Sequence, residues 1–221
     1  MHYTWNFAVI WTYRDAFVRG AAATVELTFY TVLIGATLGL FVGLARDSRN
    51  KVLSFPATVF IEIFRSTPAL VQLVWIYYCL PILTGLTFSA FVSVLIGLSL
   101  HTTAYMGEIF RGGIRSIDRG QYYAAMSIGM THAQLMRRIV LPQAARRVIP
   151  PFMNELANLV KLTTLASVLA VQELQYQAAN LITQTFRPLE IFTFLAVMFA
   201  VIIYPLTLIA RYAENYYERK K

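Results

Sequence analysis

Charge-free apolar runs alternate with short basic segments along this chain of 221 residues. The runs Leu27–Ala45 and Ile191–Ala210 both have the length of about 20 apolar residues that a helix needs to cross a membrane. No Asp, Glu, Lys or Arg occurs from Ser66 to Gly107, a stretch too long for one span. Because Pro81 and Gly85 mark a turn within it, the stretch is predicted to hold parts of two spans.

Two further predicted spans contain charged residues. The second span of the chain begins near Val52 and carries Glu62 and Arg65 before it enters the charge-free stretch. The fourth span covers about residues 148–171 and carries Lys161. The pattern as a whole predicts an all-α membrane protein with about five transmembrane helices.

The composition agrees with a membrane protein. Hydrophobic residues make up 57% of the chain and charged residues 14%, and the mean hydropathy is +0.56, which is too apolar for an ordinary soluble domain. In a soluble protein the net charge of +8 would suggest nucleic acid. No nucleic-acid partner is predicted here, because the distribution of basic residues in a membrane protein reports on its orientation.

The basic residues cluster in three segments separated by predicted spans. By the positive-inside rule these segments lie in the cytoplasm, which predicts an outer N-terminus and a cytoplasmic C-terminus. Residues 1–19, rich in aromatic side chains, are predicted as an interfacial amphipathic segment on the outer face, followed by a transmembrane domain at residues 20–221. The segments contain Arg46, Arg49 and Lys51; Arg111, Arg115, Arg119, Arg137, Arg138, Arg146 and Arg147; and Arg219, Lys220 and Lys221.

Some polar residues of the spans have local interpretations. Pro68 lacks a backbone N–H and therefore predicts a kink or a break in the second span, which has to face protein or a cavity. Glu62 and Arg65 are three residues apart, so they share a helix face and are expected to neutralise each other. Glu108 and Arg111 have the same spacing at the cytoplasmic end of the third span, where a solvated pair is expected.

The central basic segment, about residues 112–146, is predicted to be a structured cytoplasmic loop. Asp118 and Thr131 are helix caps, and Gly129 stands where a chain leaving a helix often needs positive φ. Pro142 is expected to end the second of two short helices. The alternative interpretation is a basic connector held against anionic lipid headgroups.

Six positions of this loop carry a pattern: Ala124, Ala125, Gly129, Ile139, Leu141 and Pro142. At these intervals the loop resembles the cytoplasmic signature of binding-protein-dependent ABC transporter permeases. The pattern E-A-A, three residues, G, nine residues, I-x-L-P is matched from Ala124 to Pro142, with Tyr123 in place of the glutamate. The resemblance implies that the loop is a coupling helix seated in a separate ATPase subunit. The implied coupling residues are Tyr122, Tyr123, Ala124, Ala125, Gly129, Met130, Ile139, Leu141 and Pro142.

Three other segments resemble motifs of the histidine, glutamate, glutamine, arginine and opine permease group. They are "FRSTPALVQL" at 64–73, "AYMGEIFRGGIRSIDRGQ" at 104–121 and "NELANLVKLTTLASVL" at 154–169. This resemblance implies a type I ABC importer permease of the bacterial inner membrane that carries a polar amino acid. The implied partners are ATPase subunits that bind ATP and Mg, a second permease subunit in a homodimer or heterodimer, and an external substrate-binding protein.

Lys161 is the main candidate for substrate contact. It has no carboxylate three or four residues away, and a charge inside a span costs about 2.5–3.5 kcal/mol on insertion scales. It is expected either to receive the α-carboxylate of a substrate or to pair with Glu155 or Glu62 of a neighbouring helix. The candidate substrate-binding residues are Lys161, Thr163, Thr164, Glu155, Arg65, Thr67 and Gln72.

Leu162 and His101 bear on the predicted substrate and on the choice of binding residues. Leu162 stands where the family often has aspartate, so the chain lacks an anion that would favour a cationic side chain, and a neutral or acidic amino acid is predicted. His101 is expected to make a hydrogen bond between helices rather than to bind substrate.

No catalytic or metal-binding motif is present, and without a P-loop the chain is not expected to hydrolyse ATP by itself. Two other classes remain open at this point. A secondary amino-acid transporter would need an internal repeat and a coupling-ion site, and no duplicated half is found. A membrane scaffold or receptor anchor would explain the basic loop but not the four motifs.

Overall fold

The computed structural model describes residues 3–218, with side chains for residues 3–216. All regular structure in this range is helical, which confirms the predicted fold class. The first two residues and the predicted basic tail from Arg219 to Lys221 lie outside the described residues. The helices are α1 (Ala8–Thr12), α2 (Arg14–Arg46), α3 (Lys51–Ser66), α4 (Ala69–Thr84), α5 (Ala90–Arg115), α6 (Arg119–Ser127), α7 (His132–Leu135), α8 (Leu141–Leu162), α9 (Leu174–Thr185) and α10 (Pro188–Glu218).

Length and composition support up to four membrane spans among the described residues. Helices α2, α5 and α10 are each long and apolar enough to cross a membrane, and the bent pair α3–α4 counts as a fourth if it is one span. Helix α8 and the 3-10 helix Thr163–Leu169 occupy the position predicted for another span. Helix α8 is less apolar than these helices, because it contains four charged residues, Arg146, Arg147, Glu155 and Lys161, and it is therefore not counted as a span by composition.

Helices α2 and α5 form the central pair of the bundle, and three glycines of α2 allow their close approach. A Cβ atom at Gly39 would lie 2.7 Å from the Cβ of Met106, and one at Gly43 would collide with the carbonyl oxygen of Gly107. Gly35, one turn before Gly39 on α2, faces Thr102. Small residues at every fourth position let two membrane helices pack backbone against backbone. Hydropathy alone indicated the first span, and hydropathy does not reveal such a glycine stripe.

The second span is broken rather than gently kinked. Helices α3 and α4 meet at an angle of 108°, and Thr67 and Pro68 between them have extended backbone. A π-helical turn at Trp75–Cys79 lies within α4. The break that Pro68 predicted is therefore confirmed, and it is a full change of direction.

The cytoplasmic loop has the predicted caps and turn but a different end. Asp118 accepts from the N–H of Gly120, Gly129 has φ +77°, and Thr131 forms a capping box with Gln134. The expectation that Pro142 ends the second short helix is wrong. A π turn at Met136–Val140 leads directly into α8. Pro142 lies directly after this π turn, at the first turn of α8, and the widened turn accommodates a residue without an N–H.

Helix α9 was not predicted, and it packs against the first half of α2. Glu173 is fully buried and caps the helix by accepting from the backbone N–H groups of Gln175 and Tyr176. A Cβ at Gly20 would lie 2.9 Å from the Cα of Leu174, so the two backbones nearly touch. The acceptor side chain at Glu173 is the local signal that could have indicated a helix start.

Hydrogen bonds hold the residues before α2 against the start of α10. Glu190 is fully buried and accepts from the Tyr3 hydroxyl, the Asn6 N–H and the Arg187 guanidinium. Helix α2 begins at Arg14, so residues 14–19 continue into the first span without a break. The interfacial position of residues 1–19 stays a prediction.

Candidate translocation and coupling sites

Three polar residues of α8 form one exposed face. Asn154, Asn158 and Lys161 are spaced four and three residues apart, which places them on the same side of the helix, and all three are exposed. Buried residues of α8, including Leu159 and Val160, point into the bundle. The helix is therefore amphipathic, with its polar face outside the single chain.

Lys161 makes no ion pair among the described residues. The expected pairing with Glu62 is not observed, because Glu62 binds Arg46 at 2.6 Å. The expected pairing with Glu155 is not observed either, since Glu155 has no ion pair within the described part of the chain. The pairing alternative is thus wrong within one subunit in this state.

The two threonines that follow Lys161 bond to the backbone of their own helix. The Thr163 hydroxyl donates to the carbonyl of Val160 and the Thr164 hydroxyl to that of Lys161, each at 2.7 Å. Thr163 is fully buried, whereas Thr164 is half-buried. Only Thr164 has an oxygen that an outside molecule can approach.

The Gln72 side chain connects the two halves of the broken span by hydrogen bonds. Its Nε2 lies 2.9 Å from the carbonyl oxygen of Phe64, 3.0 Å from that of Thr67 and 2.7 Å from the Thr67 hydroxyl oxygen. These acceptors lie at the end of α3, where carbonyl groups have no helical partner. The Gln72 Oε1 lies 3.2 Å from Nδ1 of His101 on α5. The predicted role of His101 as a contact between helices is confirmed.

Five charged residues from α2, α3 and α5 form what we call the ion cluster. Glu108 lies at its centre and contacts three guanidinium groups, those of Arg46 at 2.8 Å, Arg111 at 2.7 Å and Arg65 at 3.6 Å. The expected pair of Glu62 with Arg65 is wrong, because Glu62 binds Arg46 instead. The pair of Glu108 with Arg111 is confirmed, but it is not solvated, since 16% of the Glu108 side chain is exposed.

Arg65 and Glu155 are the incompletely paired charges of this region. The Arg65 guanidinium lies over the ring of Tyr105, 5.5 Å from its centroid, and 40% of its side chain is exposed. Glu155 is 9% exposed, and its buried Oε1 has no hydrogen-bond partner among the described residues. The sequence motifs named both residues but could not indicate their partners.

The cytoplasmic loop presents an apolar surface, and its inner side forms a small core. Among the predicted coupling residues, Ala125 is buried against Leu135 and Val140. Tyr123 is 67% exposed, and Ile128, which sequence analysis missed, is 77% exposed. The other coupling candidates divide between half-buried Tyr122, Met130 and Ile139 and exposed Ala124, Gly129, Leu141 and Pro142.

Comparison with known proteins supports the resemblance drawn from the motifs. The chain is 39% identical to the octopine transport system permease protein OccM of Rhizobium meliloti over 191 residues, which cover 83% of this chain and 78% of that protein. It is 36% identical to the probable amino-acid ABC transporter permease protein YckA of Bacillus subtilis, with 92% and 88% covered. It is 33% identical to the glutamine transport system permease protein GlnP of Escherichia coli K12, with 97% and 98% covered.

Solved structures show the same architecture. A crystal structure of an amino acid ABC transporter with histidines contains a chain that matches with a TM-score of 0.90 and 34% identity, covering 96% of this chain and 100% of that one. The MetNI methionine ABC transporter matches with a TM-score of 0.73 at 19% identity over 92% of this chain and 97% of that one, which shows the fold alone.

The family assignment comes from a match along most of the chain. Residues 35–221 match the family model described as binding-protein-dependent transport system inner membrane component. This range includes the broken span, the ion cluster, the cytoplasmic loop and the polar face of α8. The chain therefore belongs to the family of binding-protein-dependent transport system inner membrane components.

Proposed function

We propose that this chain is the membrane-spanning permease subunit of an ATP-driven importer for polar amino acids. Its relatives are named as permeases for glutamine, octopine and amino acids. The observation that carries the proposal is the exposed face of Asn154, Asn158 and Lys161 on a helix packed between spans. Exposure of this face to lipid would cost several kcal/mol, about 2.5–3.5 for the lysine alone. A water-filled pathway closed by a second permease subunit removes that cost.

Lys161 receives the substrate α-carboxylate in this proposal, with the Thr164 hydroxyl beside it. Thr163, Thr67 and Gln72 support the site indirectly, since the hydrogen bonds of these residues lie within the chain. With leucine after the lysine, the pathway lacks one anion, which favours a neutral or acidic amino acid over a cationic one.

The cytoplasmic loop is the contact for the partner ATPase, which binds ATP and Mg. Helix α6 and its following turn expose Tyr123, Met126 and Ile128 to solvent, and exposed apolar side chains on a short structured element are typical of a docking surface. Tyr123 fills the usual glutamate position with an aromatic ring, so this part of the contact is apolar. An external substrate-binding protein delivers the amino acid on the opposite face.

Co-purification and reconstitution test the proposal together. The chain, expressed with the proteins encoded beside it, is purified in mild detergent and reconstituted in liposomes with ATP inside and the binding protein outside. We expect a P-loop ATPase to copurify and labelled glutamine, glutamate or a related amino acid to accumulate only with ATP. Uptake without ATP would indicate a secondary transporter, and a stable complex without any uptake would indicate a scaffold or receptor anchor.

A further inference from the structure

An apolar groove runs along the outside of the bundle between α2 and α10. Both helices pack against α8, and α8 contributes Leu156 and Val160 to the floor of the groove. The groove consists of two adjoining clefts of about 660 and 300 Å³, which share Val25, Phe29 and Ile202 as lining residues. Only 11% of the apolar stretch of α10 is buried inside the chain, so the groove is open to whatever surrounds this side of the bundle.

The groove offers hydrocarbon contact and few polar groups. Thr24 and Thr28 also line it, but their hydroxyls are used within the chain. The Thr24 hydroxyl accepts from the N–H of Leu174, and the Thr28 hydroxyl donates to the carbonyl of Thr24. An apolar chain is therefore a better occupant of the groove than a polar peptide or a water-soluble molecule.

The groove lies on the side of α8 away from its polar face. Leu156 and Val160 lie about 200° and 240° around the helix from Asn154, whereas Asn158 and Lys161 lie within about 40° of it. A second permease subunit that closes the pathway over the polar face leaves the groove facing outward. Lipid is then the occupant that this position favours.

The carboxylate of Glu26 marks one end of the groove. Glu26 lines the larger cleft together with Ala22 and Tyr30, is exposed, and makes no ion pair or hydrogen bond within residues 3–216. Arg19, the nearest basic residue of α2, is about 10 Å away along the helix. Glu26 lies about 30 Å along α2 from Arg46 of the ion cluster, which is the thickness of the hydrocarbon core. In the predicted topology Glu26 is therefore level with the headgroups of the outer leaflet.

We propose that this groove binds a phospholipid whose headgroup carries a primary ammonium, with an acyl chain along the groove and the ammonium group on Glu26. A carboxylate at the edge of the hydrocarbon core needs a cation or water beside it, and no cation of the chain is near. A primary ammonium donates charge-assisted hydrogen bonds to a carboxylate, whereas a trimethylated ammonium has no N–H to donate. The site goes beyond the proposed function, because lipid binding requires neither an amino acid nor ATP.

Lipid competition on the purified complex tests the headgroup. The complex is equilibrated in mild detergent with equal amounts of phosphatidylethanolamine and phosphatidylcholine of identical acyl chains, and the lipid that survives washing is measured by mass spectrometry. We expect the wild type to retain phosphatidylethanolamine in preference by roughly threefold, the range of one exposed ion pair. Glu26→Gln should retain the two lipids equally. Equal retention by the wild type, or an unchanged preference in Glu26→Gln, would overturn the proposal.

Glu214→Gln is the matched control for the charge. It removes an exposed carboxylate from the other end of the bundle, near the end of α10, and should keep the preference of the wild type. Loss of the preference in this variant as well would mean that net charge, and not the position of Glu26, selects the lipid, and would contradict the site.

A pair of tryptophan variants tests the groove itself. Val25→Trp fills the groove, whereas Val201→Trp places the same side chain at an exposed position of α10 outside both clefts. We expect Val25→Trp to retain less lipid than Val201→Trp, with the same yield of assembled complex. Equal lipid in the two variants would overturn the proposal. A lower yield of assembled complex for Val25→Trp alone would show that the second permease subunit covers the groove, which overturns it too.

These measurements separate the lipid site from the proposed function. A complex that retains the lipid as expected but transports no amino acid would defeat the proposed function and leave the site intact. Normal transport without any headgroup preference would defeat only the site.

Discussion

Lys161 has a role in the proposed function that follows from the cost of placing a charge in a membrane. The residue is exposed on the single chain, next to Asn154 and Asn158 on the same face, and no carboxylate among the described residues neutralises it. A lysine in a span persists only where water, a partner or a ligand solvates its ammonium group. Its position on a polar face makes it available to a substrate carboxylate rather than locked in a helix contact.

Replacing Lys161 with methionine tests this role, since the change keeps the apolar stem and removes the charge. Because the lysine is unpaired within the subunit, Lys161→Met should leave the yield of assembled complex unchanged. Uptake should fall by at least roughly tenfold, the loss of one charged hydrogen bond of about 1.5–3 kcal/mol.

The double variants with Glu155→Gln and Glu62→Gln provide the control. If Lys161 binds a carboxylate across the subunit interface, Lys161→Met alone should assemble poorly and one double variant should restore assembly. Wild-type uptake in Lys161→Met would eliminate the carboxylate-binding role.

Among the helices, the pair α2 and α5 depends on backbone contact rather than on large apolar side chains. Lipid tails are as apolar as leucine, so two helices gain by close packing and not by leaving the solvent. Gly35, Gly39 and Gly43 provide this packing along two turns of α2. The ion cluster then joins the same two helices to α3 at one end.

Two glycine-to-alanine variants separate packing from helix propensity. In Gly43→Ala the new methyl group collides with the backbone of Gly107, which cannot move aside. We expect a loss of about 1–3 kcal/mol in stability, measured as a lower thermal unfolding midpoint in detergent. In Gly112→Ala no atom lies within 4 Å of the new Cβ, so stability should be unchanged or rise by about 0.4–1 kcal/mol. Equal midpoints for the two variants would show that the glycine contact does not stabilise the bundle.

The turn at Gly129 allows a test of the coupling loop. Its φ of +77° is strongly unfavourable for a β-branched residue. Gly129→Val should therefore leave insertion intact but reduce ATPase copurification and uptake together. Gly129→Asn should retain both, because asparagine tolerates the left-handed region. Normal binding-protein-stimulated ATPase activity in Gly129→Val would contradict the role of the loop as the coupling element.

At the level of the whole molecule, the basic loop and the turn around Gly85 lie at opposite ends of the bundle in the predicted topology. Helix α5 connects them and has a length of 26 residues, about 39 Å at the rise of an α-helix. This length exceeds the hydrocarbon core of about 30 Å. The arginines of the loop predict the orientation, since basic residues favour the cytoplasmic side.

Thiol labelling in intact cells tests this orientation. In a Cys79→Ala background, Leu83→Cys and Ala133→Cys place exposed thiols on the predicted outer and cytoplasmic sides. A membrane-impermeant maleimide should label the cysteine at position 83 in intact cells, and label that at position 133 only after the cells are opened. Labelling of both, or of position 133 alone, would reverse or invalidate the topology.

Local features of the chain were predictable because they depend on neighbours in sequence. Apolar runs indicate spans, Pro68 indicates a break, and Asp118, Gly129 and Thr131 indicate the caps and the turn of the loop. Each of these follows from the hydrogen bonding or the backbone angles of one short segment. The resemblance of four sequence motifs to those of known permeases also indicated the family.

Contacts between distant segments could not be predicted in the same way. The spacing of Glu62 and Arg65 suggested a pair, yet a closer guanidinium from another helix, that of Arg46, takes the carboxylate. The glycines of α2 have meaning only because α5 lies against them, and Pro142 is tolerated because a π turn precedes it. Whether a buried charge is balanced depends on which helices meet around it, and packing of the bundle, not sequence distance, sets those neighbours.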